Sequence, residues 1–150
     1  MAHTRTFPHK KATDNTTLSC MQLNLQHSKP ATNKLNLLMQ EAHMDLALVQ
    51  EPYIYQNQVT GISLKYWIFS SGKGKKRAAI MVTNKSIDAL LIHQISEEDI
   101  VVIEVTHGNK NFIVASIYLD IRKEITEDFN KIKNILQLAK GEGIISGDRQ

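Results

Sequence analysis

A chain of 150 residues, 42% hydrophobic and 22% charged, has the composition of one ordinary globular domain, large enough to bury roughly two-thirds of its unfolded surface. Its longest apolar runs, Ala78 to Val82 and Ile100 to Ile103, fall far short of the roughly 20 residues a membrane-spanning helix needs, which excludes a transmembrane reading. Eighteen Lys and Arg against fifteen acids give a net charge of +3 and a pI near 9.0, which permits a polyanionic partner without demanding one.

Residues 1–17 are polar and basic (Arg5, His9, Lys10, Lys11) and lack the apolar stretch of a secretory signal, so they read as a flexible leader to a domain over 18–150. Ser19 to Gln26 alternates, with Met21, Leu23 and Leu25 on one side and Gln22, Asn24 and Gln26 on the other, the pattern of a half-buried strand. The lone Cys20 lies inside it; it has no internal disulfide partner, reads as a small buried residue, and implies a reducing intracellular compartment. After Pro30, with Thr32 as N-cap, Leu35, Leu38, Met39 and Ala42 recur at helical spacing up to His43. Leu46 to Val49 is a buried strand that stops at Gln50-Glu51-Pro52, because proline cannot continue a central ladder, and it delivers Glu51 at its C-terminal end.

Tyr66 to Phe69, Ala78 to Val82, Ile87 to His93, Ile100 to Thr106 and Phe112 to Tyr118 follow as strands, mostly antiparallel, with Gly108-Asn109 at the tip of one hairpin. Thr126 to Ala139 returns to helical period, with Phe129, Ile132, Leu136 and Ala139 on one face and Gly141 as C-cap. Gly143 to Gly147 is a last apolar strand that ends at Asp148. The sum is an α/β fold, a two-layer sandwich of mixed sheets flanked by helices.

Three polar residues stand at strand ends: Asn24, Glu51 and Asp148. Such ends converge on one rim in α/β architectures, where a rigid scaffold holds side chains facing solvent. A carboxylate beside an amide there suits a hard cation such as Mg²⁺, which keeps most of its waters and takes one or two protein carboxylates plus a substrate phosphate. Taken singly, each is also what a turn or cap uses.

The blocks Leu23-Asn24-Leu25-Gln26-His27-Ser28-Lys29, Ala47-Leu48-Val49-Gln50-Glu51-Pro52-Tyr53, Ala115-Ser116-Ile117-Tyr118 and Ile145-Ser146-Gly147-Asp148, in this order, resemble the endonuclease/exonuclease/phosphatase family, and most of all the apurinic-like endonuclease domain of non-LTR retrotransposons of the R1-like type. The resemblance implies that Glu51 binds a divalent metal, Mg²⁺ or Mn²⁺, with Asn24 beside it. It implies further that Tyr118 hydrogen-bonds the scissile phosphate and that Asp148 orients the attacking water. The implied chemistry is in-line phosphodiester hydrolysis that nicks DNA and leaves a 3′-hydroxyl to prime reverse transcription. The implied partners are DNA and the remainder of a retroelement polyprotein, with no membrane, and the implied location is the nucleus.

The chain departs from the pattern where the family has an Asn two residues after the Gly-Asp and this sequence has Gln150, a residue that reaches about one methylene further toward a phosphate. The family's later blocks, including a terminal Ser-Asp-His, would lie past Gln150. The resemblance therefore covers roughly the N-terminal two-thirds of such a domain, and impaired activity and uncovered strand faces are the corresponding expectations. A non-catalytic binding module for nucleic acid or protein on the same scaffold is the alternative function.

The remaining residues read two ways. Lys73, Lys75, Lys76 and Arg77 form either a phosphate-contacting loop or a solvated one. His27 borders the Asn24 strand and reads as a substrate contact or a surface histidine. Asp45 and His43 end a helix.

Overall fold

The computed structural model describes residues 2–8, 17–120, 122, 125–139 and 143–149, with 2–8, 125, 139 and 143–149 described by backbone alone. In chain order the elements are β1 (Ala2–Pro8), β2 (Thr17–Asn24), α1 (Lys29–Ala42), β3 (Leu46–Gln50), β4 (Ile54–Tyr55), β5 (Gln58–Val59), β6 (Trp67–Phe69), β7 (Ala78–Val82), β8 (Asp88–Leu91), β9 (Ile100–His107), β10 (Lys110–Leu119), α2 (Ile125–Ala139) and β11 (Gly143–Arg149). One sheet runs β1-β2-β3-β7-β6 and a second runs β11-β10-β9-β8, while β4 and β5 pair as a small hairpin. In each large sheet one neighbouring pair is parallel, β2 with β3 and β10 with β11. Each of these pairs is joined through a helix, as a parallel crossover requires.

The period-2 pattern of the strands explains the layering. In β3, Leu46 and Leu48 face the second sheet, where they meet Val101, Ile103, Phe112 and Val114, while Ala47 and Val49 face α1 and its Leu35 and Met39. In β10, Ile113, Ala115 and Ile117 turn the other way and cover Ile135 of α2. The result is four layers, helix, sheet, sheet, helix, with the main core between the sheets, and the α/β sandwich read from the sequence is the observed fold. No described helix is long and apolar enough to cross a membrane.

Several local readings change. Residues 2–8 of the supposed leader pair antiparallel with β2, from Ala2 opposite Leu23 to Pro8 opposite Thr17. They supply ladder partners that β2 would otherwise lack at that edge, and Pro8 is tolerated because β1 is an edge strand. Residues 9–16 and Gly141 lie outside the described residues. The half-buried strand is buried on both faces, since Leu18 and Cys20 point into the core between the sheets and Leu23 and Leu25 point at α1. The cap of α1 is Ser28, whose hydroxyl accepts from Ala31 N at 3.2 Å; Thr32 is a buried residue of the first turn, its hydroxyl donating to Ser28 O at 2.7 Å. Pro30 lies in the first helical turn, where its missing N–H is harmless, so it does not push the start of the helix to Thr32. His43, left-handed with φ 51°, closes α1, and Asp45 accepts from Ser19 N and from Asn84 Nδ2.

Cys20 is 3% exposed, and burial, helped by the nearby Asp45 charge, pushes its thiol up to about 12. At pH 8 about one molecule in ten thousand then carries a thiolate, against about a quarter for an ordinary cysteine. An aromatic disulfide reagent at pH 8 is expected to label the native protein at least 100-fold more slowly than the urea-unfolded chain. Because the folded-state value is raised, the stabilisation is intact below the ordinary thiol range and is lost as pH rises toward about 12.

Candidate active site

β2 and β3 run side by side with Asn24 opposite Gln50, so the residues that follow, Leu25 onward and Glu51 onward, emerge together at one rim. Leu25 N donates to Gln50 O at 2.9 Å and extends the pairing by one step. The chain then turns through two successive left-handed residues, Gln26 (φ 51°) and His27 (φ 55°), a turn closed by the Asn24 side chain, whose Oδ1 accepts from Gln26 N at 2.8 Å. This is an Asx turn, the local use of an amide at a strand end.

Glu51 is itself left-handed, with φ 48°, a conformation that costs a side-chain-bearing residue about 1–2 kcal/mol and persists where neighbours hold it. Its N–H donates to Arg77 O at 2.8 Å and its carbonyl accepts from His27 N at 2.8 Å. His27 adds a second bond, its Nδ1 donating to Pro52 O at 2.7 Å, so its role in the fold is to tie the two turns together. Glu51 is half-buried.

The second sheet meets this rim through β10. Gln50 Nε2 donates to Ser116 Oγ at 3.0 Å, and that hydroxyl donates to Val49 O at 2.9 Å. Tyr118, two residues further, is 9% exposed, and the guanidinium of Arg77 lies over its ring, 5.4 Å from the centroid. That separation is within cation–π range and fixes the ring's place. Asp148 on β11 is the register partner of Tyr118; it is described by its backbone, and Gln150 lies outside the described residues. A continuous chain of contacts thus brings together Asn24, Glu51, Arg77, Tyr118 and the backbone of Asp148.

The basic loop divides. Lys73 and Lys75 are exposed, whereas Lys76 is turned inward, 4% exposed, with Nζ donating to Gly74 O at 3.2 Å. Arg77 is committed to Asp120, Nη1 to Oδ2 at 2.7 Å. Asp120 also receives Arg122, through Nε at 3.1 Å, Nη2 at 3.0 Å and the backbone N–H at 2.9 Å. The hydrogen bonds from Arg122, with that from Arg77 behind them, hold the Asp120 carboxyl far below the usual carboxylate range. Gly72 takes φ 86°, a left-handed conformation that strains a residue with a Cβ, so the loop favours glycine there. An open cleft of about 310 Å³ beside the loop is lined by Gly74, Lys75, Arg77, Glu97, Glu98, Asp99 and Asp120. With four carboxylates against two cations, it is not a phosphate cradle.

Among the described residues no group of three or more His, Cys, Asp or Glu side chains is arranged to hold a metal. A Mg²⁺ site of the water-retaining kind does not need one. The donor chemistry at the rim, one carboxylate at Glu51 and one amide at Asn24 with no nitrogen or sulfur ligand demanded, fits a hard oxygen-seeking cation. Sequence reasoning missed three residues that shape this rim: Gln50, Ser116 and Asp120. For the first two a signal existed, since each is polar at the position where the inward-facing pattern Leu46-Leu48 or Phe112-Val114 calls for an apolar side chain.

No protein-family model and no curated protein matches the sequence. Solved structures do match it. The endonuclease domain of TRAS1, a telomere-specific non-LTR retrotransposon, has a TM-score of 0.74 and 26% identity over 86% of this chain and 57% of its own. A humanized D. rerio TDP2 has a TM-score of 0.61 and 15% identity over 87% of this chain and 61% of its own. An endonuclease/exonuclease/phosphatase family protein from Leptotrichia buccalis has a TM-score of 0.58 and 17% identity over 87% of this chain and 66% of its own. The chain spans about three-fifths of the length of these structures. In its fold the chain is similar to solved structures of endonuclease/exonuclease/phosphatase proteins, a retrotransposon endonuclease domain among them.

Proposed function

We propose that this chain is the metal- and phosphate-holding part of a phosphodiesterase that nicks DNA. The observation that carries the reading is the meeting of Asn24 and Glu51 at the ends of adjacent parallel strands, joined through Arg77 to Tyr118; likeness to a retrotransposon endonuclease domain supports it. Glu51 and Asn24 would hold a Mg²⁺ or Mn²⁺ ion, which would supply charge neutralisation at the phosphoryl group. Tyr118 donates a hydrogen bond to a non-bridging phosphate oxygen, and Asp148 orients the attacking water and takes its proton. Gln150 serves as a further amide donor to the phosphate. Lys75 meets the DNA backbone as a solvated cation. Lys76 and Arg77, engaged inside the protein, act on the loop and on Tyr118, and His27 acts on the turn that carries Glu51. The 3′-hydroxyl left by the nick would prime reverse transcription, with the rest of a retroelement polyprotein as partner and the nucleus as the place of work.

Conversion of supercoiled plasmid to open circles tests this. The protein is expected to nick slowly in the presence of Mg²⁺, in keeping with the impaired activity expected from the sequence, and to stop on chelation. Glu51→Ala is expected to remove the metal-dependent activity, and Tyr118→Phe to lower the single-turnover rate about 100-fold, the usual loss of one charge-stabilising donor. DNA retention with no Mg²⁺-dependent nicking, unchanged in Glu51→Ala, would instead identify a binding module.

A further inference from the structure

We infer that Gln50 and Ser116 are positioning residues that set the Glu51 metal ligand against the Tyr118 phosphate donor across the sandwich. The inference rests on the function proposed above and adds to it two residues that touch neither metal nor substrate.

The argument begins with what these side chains cost. Gln50 and Ser116 are both fully buried, at 0% exposure, beside a core of apolar side chains, most of them Leu, Ile and Val. A buried hydrogen-bonded polar pair contributes little over an apolar pair of the same shape, and replacing both partners together is often neutral. Packing alone therefore does not call for them. What an apolar pair lacks is direction. Two sheet faces covered with Leu and Val can shift against each other with small changes in contact energy, whereas hydrogen bonds fix both distance and angle.

The bonds here act on the residues next to the site. The Ser116 hydroxyl donates to Val49 O at 2.9 Å and accepts from Gln50 Nε2 at 3.0 Å. Gln50 Oε1 in turn accepts from Gln22 Nε2 on β2 at 2.7 Å. One hydroxyl thus grips the backbone and the side chain of the two residues immediately before Glu51, and the same chain of bonds reaches the strand that carries Asn24. Ser116 lies two residues before Tyr118 on the same face of β10, so the distance from β3 to β10 at this point also fixes the distance from Glu51 to Tyr118. Catalytic geometry is sensitive at this scale, since a misplacement of about 1 Å can cost about 100-fold in rate. The left-handed backbone of Glu51 makes the grip more necessary, because that conformation persists only where its surroundings hold it.

The test uses an isosteric pair. Threonine and valine differ by one hydroxyl, so Ser116→Thr and Ser116→Val introduce the same added bulk. Mn²⁺ affinity of the full chain, measured by water-proton relaxation, is expected to stay within about twofold of wild type in Ser116→Thr and to fall about tenfold or more in Ser116→Val, the usual effect of losing a residue that orients a ligand. The double variant Gln50→Met/Ser116→Val removes both polar side chains of the pair, leaving Gln22, which is only half-buried, and the Val49 carbonyl each one partner short; it is expected to melt no lower than Ser116→Val alone yet bind Mn²⁺ about tenfold more weakly than wild type, which a merely structural role would not produce. A double variant that melts and binds like wild type overturns the inference, as does a well-folded Ser116→Thr that binds as poorly as Ser116→Val. Glu51→Gln separates the two levels. If it binds Mn²⁺ as tightly as wild type, the ligand assignment itself fails and the inference with it; if it loses binding while the double variant keeps it, only the inference fails.

Discussion

Glu51→Gly is expected to give a protein that is more stable than wild type and unable to bind Mn²⁺. The φ of 48° at Glu51 costs a residue with a Cβ about 1–2 kcal/mol, while glycine takes it freely and gives back about 0.5–1 kcal/mol through its looser unfolded state. The difference, about 1 kcal/mol, corresponds to a rise of roughly 2–4 °C in Tm for a domain of this size. The backbone bonds of residue 51, to Arg77 O and from His27 N, do not involve its side chain and survive the change. Glu51→Gln keeps the strained backbone and is expected to melt with wild type while losing the metal. Strain held at a ligand and released by removing it is the behaviour of a functional position. A Tm lowered by glycine would mean that the Glu51 side chain stabilises the fold by more than its backbone costs, and would make it a structural residue.

The sequence made Glu51 and Asn24 legible because their placement depends on neighbours close in the chain. Leu46 to Val49 is apolar without interruption, Pro52 stops the ladder, and Glu51, just before it, stands past the last paired residue, Gln50 opposite Ala78. Asn24 follows from the same kind of alternation. The pairings that support the site were not legible, because each spans the fold. Gln50 and Ser116 each stand out locally as polar residues in an apolar pattern, but nothing local announces that they meet over 66 residues, or that Arg77 meets Asp120 over 43. The loop of Lys73 to Arg77 illustrates the point: four cations in five residues look alike in the sequence, yet Lys76 is folded inward and Arg77 is held by Asp120, while Lys73 and Lys75 face water.

Helix α2 is where a local signal misled, and there the expected difference in stability is large. Helical spacing groups Phe129, Ile132, Leu136 and Ala139 as the inward face, but Phe129 is 65% exposed and Leu136 58%, while Ile135 is 1% exposed and Asp128 is buried. The docked face runs through Asp128, Ile132 and Ile135, about 50° around the helix from the reading by periodicity. The reason lies in the sheet: Ile135 is the side chain that packs among Ile100, Val102, Ala115 and Ile117, and Lys131, one turn before it, reaches Glu97 at 2.9 Å and lies 3.9 Å from Asp99. The ion pair lies beside the face that Ile135 docks, and counting apolar residues gives it no weight. Ile135→Ala is therefore expected to cost about 2–4 kcal/mol, the usual range for emptying a buried aliphatic site, and to lower the urea midpoint accordingly. Phe129→Ala, at a position on the apolar face grouped by helical period, is expected to change stability by no more than about 0.5 kcal/mol, as exposed substitutions do. Equal losses at the two positions would mean that Phe129 is covered in solution and that the helix docks through the face its periodicity suggests.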